Sequence, residues 1–445
     1  MCVVGAGPSG IAAVKNFADL GFDVTAFDVC AGVGGQWRFD DPAGHSSVFE
    51  TTHIISSRTR SEYADHPLPP DTPDYPSHRQ LRAYFEGYAE RFGVTGRVRF
   101  RTEVVRCEPA GPPGARGEHG WQVHTRALET GEERREHFDA LAVCNGHHWR
   151  PRWPAYPGTF AGEYLHAHSY KRAEPFRGRR VLVLGGGNSA CDVAVETARV
   201  AERVDLSWRR GYWLLPKFLL GHPVDTLSSG TSRLPRAVRM WLFERLLLLV
   251  QGSNEAAGLP RPDHRISATH PTVNSELYYA LRHGRVRPRP DVARFDGLTV
   301  RFADGAAEEY DTVVACTGYW IDHPFFDPAL VDFSRGPVPL YLRMLPADLA
   351  RLYFLGLFQP LGCIWPGAEL QSKLAARHLA GLWTPPGALP DLIRRELARP
   401  DVAQLDTPRH TITVDDAAFR RRLQTQLARS RPARGRAKEG AAAVA

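Results

Sequence analysis

Cys2-Val3-Val4-Gly5-Ala6-Gly7-Pro8-Ser9-Gly10 opens the chain; an apolar-periodic run from Ile11 to Leu20 follows, and then Phe22-Asp23-Val24-Thr25-Ala26-Phe27-Asp28. This order reads as strand, glycine turn, helix and second strand ending in an acid, a complete dinucleotide fingerprint. Gly5 permits the tight turn, Gly7 lets the backbone approach a pyrophosphate, and Gly10 lets helix and strand pack closely. Pro8 and Ser9 then start a helix whose free N–H groups and dipole favour a negative charge. Asp28 is positioned to accept hydrogen bonds from a ribose diol. Only four residues precede Gly5, so the first strand is expected to be short or to continue upstream of this sequence.

A second fingerprint stands at Val181-Leu182-Val183-Leu184, Gly185-Gly186-Gly187-Asn188-Ser189-Ala190 and the helical pattern from Cys191 to Ala201. Ala190 replaces the last glycine, and a methyl there still allows close packing. The next strand, Val204 to Trp208, ends in Ser207-Trp208-Arg209-Arg210 with no acid. A hydroxyl and two guanidinium groups suit a ribose 2′-phosphate, so the second nucleotide is expected to be NADPH, held by Gly185, Gly187, Asn188, Ser189, Ala190, Ser207, Arg209 and Arg210. Two such sites in one chain imply a resident flavin, FAD, and a hydride donor that reduces it. Beyond the first site, Gly32-Val33-Gly34-Gly35-Gln36-Trp37-Arg38 is expected to bend across the flavin, with Gly35, Gln36 and Trp37 near its ring.

Length and composition agree with this outline. At 445 residues the chain exceeds the roughly 250 to 300 residues of a single core, so two packed domains are expected. The hydrophobic fraction of 43% and charged fraction of 24% are those of a soluble globular protein. No apolar run approaches the roughly 20 residues of a membrane span, and no basic-then-apolar leader opens the sequence; the cytoplasm is the expected location. The net charge of +7 gathers partly in the Ala-, Arg-, Gly- and Pro-rich tail 429–445, expected to be disordered. A basic tail alone supplies only unspecific phosphate attraction, so no nucleic-acid partner is expected. The seven cysteines, at positions 2, 30, 107, 144, 191, 316 and 363, read as small buried hydrophobes; no metal site is expected. No two are separated by two to four residues, which excludes a disulfide reductase.

Between the two fingerprints lies Phe160-Ala161-Gly162-Glu163-Tyr164-Leu165-His166-Ala167-His168-Ser169-Tyr170-Lys171. It resembles the identifying sequence of the flavin-containing monooxygenase family, F-x-G-x-x-x-H-x-x-x-(Y/F)-(K/R), at every fixed position. A Baeyer–Villiger oxygenase would carry Trp followed by Pro or Asp in place of Tyr170-Lys171. Cys144-Asn145-Gly146-His147-His148 looks like the strand end that closes the flavin domain. Val313-Val314-Ala315-Cys316-Thr317-Gly318-Tyr319 looks like the family's A-T-G segment with Cys316 inserted, and implies flavin contacts at Thr317 and Gly318. Leu357-Phe358-Gln359-Pro360 and Ala368-Glu369-Leu370-Gln371 look like the return to the flavin domain.

The resemblance implies that NADPH reduces FAD and that dioxygen is captured as a flavin 4a-hydroperoxide. One oxygen then passes to a nucleophilic nitrogen or sulfur, as in N,N-dimethylaniline monooxygenases. It also implies nucleotide contacts at Tyr170 and Lys171, and a linker-anchoring or chemical role at His166. One departure stands out: where the family carries an Asn whose side chain contacts the flavin, this chain has Ile55. Ser56 or Ser57 is expected to face the flavin edge instead. Two rivals stay open, a Baeyer–Villiger oxygenase of ketones and an NADPH oxidase or redox-binding protein without oxygen transfer.

The expected architecture is α/β, two dinucleotide-binding Rossmann-like domains with the NADPH domain (151–295) inserted into the FAD domain (1–150 and 296–428). Substrate choice is assigned to an insertion at about 214–264. There, Trp241, Leu242, Arg245, Leu248 and Leu249 give an apolar helical stripe that suits a lid, a homodimer contact, a membrane-surface contact or core packing. The partners expected are a small amine or sulfide and dioxygen.

Overall fold

A computed structural model describes residues 1–227, 235–266, 271–334, 336–360, 362–400 and 411–432. The polar stretch near Ser228 to Ser232 and the basic tail from 433 onward lie outside the described residues.

Two five-stranded parallel sheets organise the molecule. The first runs Leu352–Phe354, Leu141–Val143, Cys2–Val4, Thr25–Phe27, Val98–Arg99, each pair parallel. Its central strand has three residues, all buried. Parallel strands covered on both faces need apolar residues at every position, which is why Cys2-Val3-Val4 shows no alternation. The helix Pro8–Asp19 covers one face and packs on Trp365–Leu379, where buried Asn16 donates to Ser372 Oγ at 2.7 Å.

The second sheet runs Val286–Arg289, Arg203–Ser207, Arg180–Leu184, Thr312–Ala315, Glu163–His166, again parallel throughout. Here the expected return to the flavin domain at 296 is corrected. Thr312–Ala315 pairs with Arg180–Leu184 in the second sheet, and Phe295, Val300 and Phe302 pack against Leu182 and Leu184. The chain leaves this domain only after Ala315, because an apolar run such as Val313-Val314-Ala315 fits a central strand of either sheet equally well.

Asp205 is fully buried in the second sheet. It accepts hydrogen bonds from Arg287 Nε and Arg289 Nε, both at 2.8 Å, and from the Tyr310 hydroxyl at 2.6 Å. Burial alone would raise its pKa, but these donors outweigh it and hold the carboxyl below the usual range. The network ties the strands Arg203–Ser207 and Val286–Arg289 to Tyr310, which stands just before Thr312–Ala315.

The insertion carries the helix Arg236–Gln251. Its expected stripe faces solvent, which corrects core packing alone among the readings given for it: Trp241 and Leu242 are each 46% exposed and Leu249 83%. The buried face is Glu244 and Leu247, with Met240 and Phe243 partly covered. Leu246 through Val250 is apolar on every side, so spacing does not select a face. Glu244 is satisfied by the Ile266 N–H at 3.0 Å and by Arg265 at 2.9 Å. Among the described residues no helix is long and apolar enough to cross a membrane.

Candidate functional site

Each sheet carries its glycine turn at the carboxyl ends of its strands, where open α/β sheets bind ligands. In the first turn, Gly5 has a φ of +98°, open to glycine at little cost. A methyl at Gly10 would collide with the Gly5 carbonyl oxygen, so helix and strand meet as the fingerprint requires. Gly7 and Gly35 face each other: a Cβ on Gly35 would stand 2.8 Å from the Gly7 Cα. Gly7 caps the helix with no side-chain hydrogen bond, which leaves the first N–H groups for an anion. Pro8 carries the helix start, and its carbonyl accepts from the Tyr63 hydroxyl at 2.7 Å. Ser9 packs against Gly356. The Asp28 carboxylate is buried and accepts from the Ala6 N–H at 2.5 Å and the Cys30 N–H at 2.7 Å. Burial raises its pKa against the lowering effect of those bonds. Asp28 therefore braces the turn as well as closing its strand.

In the second turn, Gly185 has a φ of +126°, and a Cβ there would stand 2.5 Å from the Cys316 carbonyl oxygen. Gly187 starts the helix Asn188–Thr197, again without a side-chain cap. Ala190 is fully buried, its methyl accommodated. Asn188 Oδ1 is taken by the Val273 N–H at 2.7 Å. Ser207 Oγ donates to the Pro290 carbonyl at 2.7 Å. Arg209 is exposed, and Arg210 stacks over the Tyr212 ring, 5.4 Å from its centroid. Both turns thus have a pyrophosphate's cradle: an uncapped helix start with no Cβ in the way.

A cleft of about 690 Å³ connects the two halves. Of the residues singled out by sequence, it brings together Gln36, His166, Gly185, Gly187, Asn188, Ser189, Ser207, Arg209, Arg210, Thr317 and Gly318. Thr317 and Gly318, expected at the flavin, follow the second sheet's Thr312–Ala315 and line the cleft near both halves. Trp37 turns away into the first core, edge to face with Trp365 at 5.8 Å.

Four other expected site residues do not line the cleft, and their polar groups are engaged elsewhere. Ser56 is buried with its hydroxyl 2.8 Å from Ser61 Oγ. Ser57 receives Asp225 on its N–H at 2.7 Å. Tyr170 is buried between Phe49 and Phe176, with its hydroxyl on Glu196 at 3.4 Å. Lys171 donates to the Ser46 and Val48 carbonyls at 2.6 and 3.3 Å. Tyr170 and Lys171 thus fasten the flavin-side loop 46–49 to the second domain.

The cleft also holds Arg152, Trp153, Ile321 and Thr413, which sequence reasoning passed over, and Ile55, His147, His148, Tyr319 and Gln359, to which it gave no cofactor contact. His147 and His148 had a signal, since they end the segment after the strand Leu141–Val143. Burial lowers His147 to about 4, against a weak bond that its Nε2 donates to Gln359 Oε1 at 3.4 Å. Burial and then the neighbouring His168 lower His166 to about 4, and His166 Nδ1 accepts the His168 N–H at 3.1 Å. These two imidazoles are neutral at neutral pH. Among the described residues Asp291 is the only carboxylate lining the cleft, and it is occupied by the Tyr156 hydroxyl at 3.0 Å. Ile55 stands at the cleft and in the insertion's core with Leu215 and Val273. A wider groove of about 920 Å³ on the insertion, lined by Trp213, Glu244 and His264, includes no residue of either turn.

Comparison with known proteins agrees with this geometry. The model of a family described as flavin-binding monooxygenase-like matches residues 1–404. Flavin-containing monooxygenase 5 of Cavia porcellus is 33% identical over 438 residues, covering 93% of this chain and 80% of the relative. Dimethylaniline monooxygenase [N-oxide-forming] 2 of the same species is 33% identical, covering 90% and 78%. Among solved structures, S-allyl-L-cysteine S-oxygenase from Allium sativum superposes with a TM-score of 0.70 at 23% identity, covering 96% and 88%. Cyclohexanone monooxygenase, with caprolactone bound, superposes at 0.72 and 18% identity, covering 96% and 97%; the fold is common to both chemistries. A family match over most of the length, two glycine turns and the cleft between them lead to one statement: this chain belongs to the flavin-binding monooxygenase family.

Proposed function

We propose that this enzyme uses FAD on the first turn and NADPH on the second to place one oxygen atom of dioxygen on a nucleophilic nitrogen or sulfur of a small molecule. The observation that carries the reading is the cleft itself, onto which the second turn opens from one side and Gln36 and His147 of the flavin half from the other. The flavin, when bound, supplies oxygen activation, and the nicotinamide supplies the reducing electrons. Gly5, Gly7, Pro8, Ser9, Gly10, Asp28, Gly35 and Gln36 would hold the first cofactor. Gly185, Gly187, Asn188, Ser189, Ala190, Ser207, Arg209 and Arg210 would hold the second.

The chain's own work is positioning and drying. Ile55, Ile321, Ile412 and Tyr319 line the cleft with apolar surface, which disfavours water where it would divert oxygen into peroxide. Ile55 offers no hydrogen bond, so the drying role replaces a polar one at this position. His147 and His166, held neutral, add no charge beside a substrate lone pair. The N-oxide-forming relative supports nitrogen oxygenation, and the intact Phe160 to Lys171 pattern favours it over ester formation. Seven buried, unpaired cysteines support a reducing compartment, the cytoplasm. A homodimer belongs to the same proposal, supported by the exposed Trp241, Leu242 and Leu249; light scattering measures it.

The test is a panel of tertiary amines, thioethers and ketones incubated with FAD-loaded enzyme, NADPH and isotopically labelled dioxygen. N-oxides or S-oxides carrying one labelled oxygen are expected. Esters from ketones alone, or peroxide with no labelled product, would overturn the reading.

A further inference from the structure

The chain crosses between the two sheets twice, and the crossings pair as an antiparallel ribbon, Arg150–Pro151 with Tyr319–Trp320. Arg152 follows directly and is locked in place by its backbone. Its N–H donates to the Gly318 carbonyl at 2.9 Å, and its carbonyl accepts from Thr317 Oγ1 at 2.5 Å. The guanidinium is aimed as firmly: Nε and Nη2 donate to the Thr317 carbonyl at 3.1 and 2.8 Å, with Cζ 5.7 Å from the Trp320 ring centroid.

Arg152 contrasts with its neighbour. Arg150 has a carboxylate partner, Asp322, at 2.9 Å; Arg152 forms no ion pair among the described residues, although it is partly buried and lines the cleft. Burial and then the positive charge of Arg209 lower its pKa, the signature of two cations facing one space. An unpaired cation held part-way out of water beside another is costly unless an anion completes the site. A guanidinium carries five N–H donors, and the Thr317 carbonyl uses only two. Where an anion would meet Arg152 follows from contacts. Cys316, one residue before Thr317, is the neighbour against which the Gly185 backbone packs, so Arg152 rests on the segment that abuts the second glycine turn.

We infer that Arg152, carried on the interdomain ribbon, binds the pyrophosphate of the nicotinamide dinucleotide, a separate task from reading the 2′-phosphate at Arg209. The inference rests on the reading that the second turn takes that nucleotide. It gives the ribbon a function: the nucleotide is gripped by the segment that sets how the two domains meet, so holding it also steadies the cleft.

Equilibrium binding of NADP⁺ and of NAD⁺ to oxidised, FAD-loaded enzyme tests this by calorimetry, with Arg152→Gln, Arg152→Ala and Arg209→Ala compared. Gln keeps an amide donor for the Thr317 carbonyl, so unchanged FAD content and melting temperature check its fold. Loss of one charge-assisted contact is expected to weaken both nucleotides about tenfold or more in Arg152→Gln, leaving their ratio unchanged. Added salt should cost Arg152→Gln less affinity than wild type. Arg209→Ala should weaken NADP⁺ alone. If both Arg152 variants bind both nucleotides as wild type does, or lose only NADP⁺, the inference falls while the cofactor reading stands. Wild-type enzyme that binds neither nucleotide overturns both.

Discussion

The two glycine turns share one backbone design and differ in what closes them. The first is shut: Gly7 lies against Gly35, and Asp28 spends its carboxylate on the N–H groups of Ala6 and Cys30. The second is open: its strand ends in Ser207 and an exposed Arg209 facing the cleft. A shut, acid-braced turn suits a cofactor that stays, and an open basic one suits a nucleotide that arrives with an extra phosphate and leaves. The strand end, more than the glycines, separates the two roles.

The sharpest way to break this comparison is Gly10→Val. Its side chain has no space against the Gly5 carbonyl, so the protein should purify without flavin colour, as absorbance will report; the matched Ala190→Gly in the second turn should keep its FAD. Next in size is Asp205→Asn, which leaves Arg287, Arg289 and Tyr310 facing a neutral amide. Because Arg287 is 41% exposed, the loss should be about 3 kcal/mol, the low end for a broken buried pair, read from urea unfolding. Arg209→Ala should lower the preference for NADP⁺ over NAD⁺ about tenfold, measured as a ratio of dissociation constants.

A smaller effect is expected from pH. His147 and His166 are lowered from 6.5 to about 4 in the folded chain, so between these values the unfolded chain binds protons that the folded one refuses. Their contribution is complete above about pH 6.5 and is lost as pH falls toward about 4. His147→Gln should flatten the decline in a melting-temperature profile over that window, and an unchanged slope would contradict its assigned burial. The smallest effect is Ile55→Asn. It loses half-buried apolar contact with Leu215 and Val273, about 1 kcal/mol, and should raise peroxide per NADPH; a fall in peroxide would show that a polar group is wanted there.

Much of this architecture was legible because a glycine turn is a local device. Gly5 and Gly10 are set by a collision five residues apart, and the position of Arg209 at the cleft follows from its place after a strand. What stayed hidden depended on distance along the chain. Val313 to Ala315 is buried on both faces, and nothing in such a run names its neighbours, so the sequence does not show that the second domain extends this far. Tyr170 and Lys171 looked like nucleotide ligands, yet they clasp a loop more than 120 residues earlier. Ser56 and Ser57 carry hydroxyls suited to chemistry, but their hydrogen-bonding is satisfied within the flavin-side loop and by Asp225. Arg152 acquires its meaning only from Thr317, 165 positions away.

The central claim is that both nucleotides meet in one cleft of one chain. Anaerobic titration of FAD-loaded enzyme with NADPH, followed by flavin absorbance, tests it most directly. The account expects the yellow flavin to bleach fully with about one NADPH per flavin, and an equal dose of NADH to bleach it far more slowly. A flavin that stays oxidised in excess NADPH would contradict the account, and equal rates with NADH would contradict the role given to Arg209.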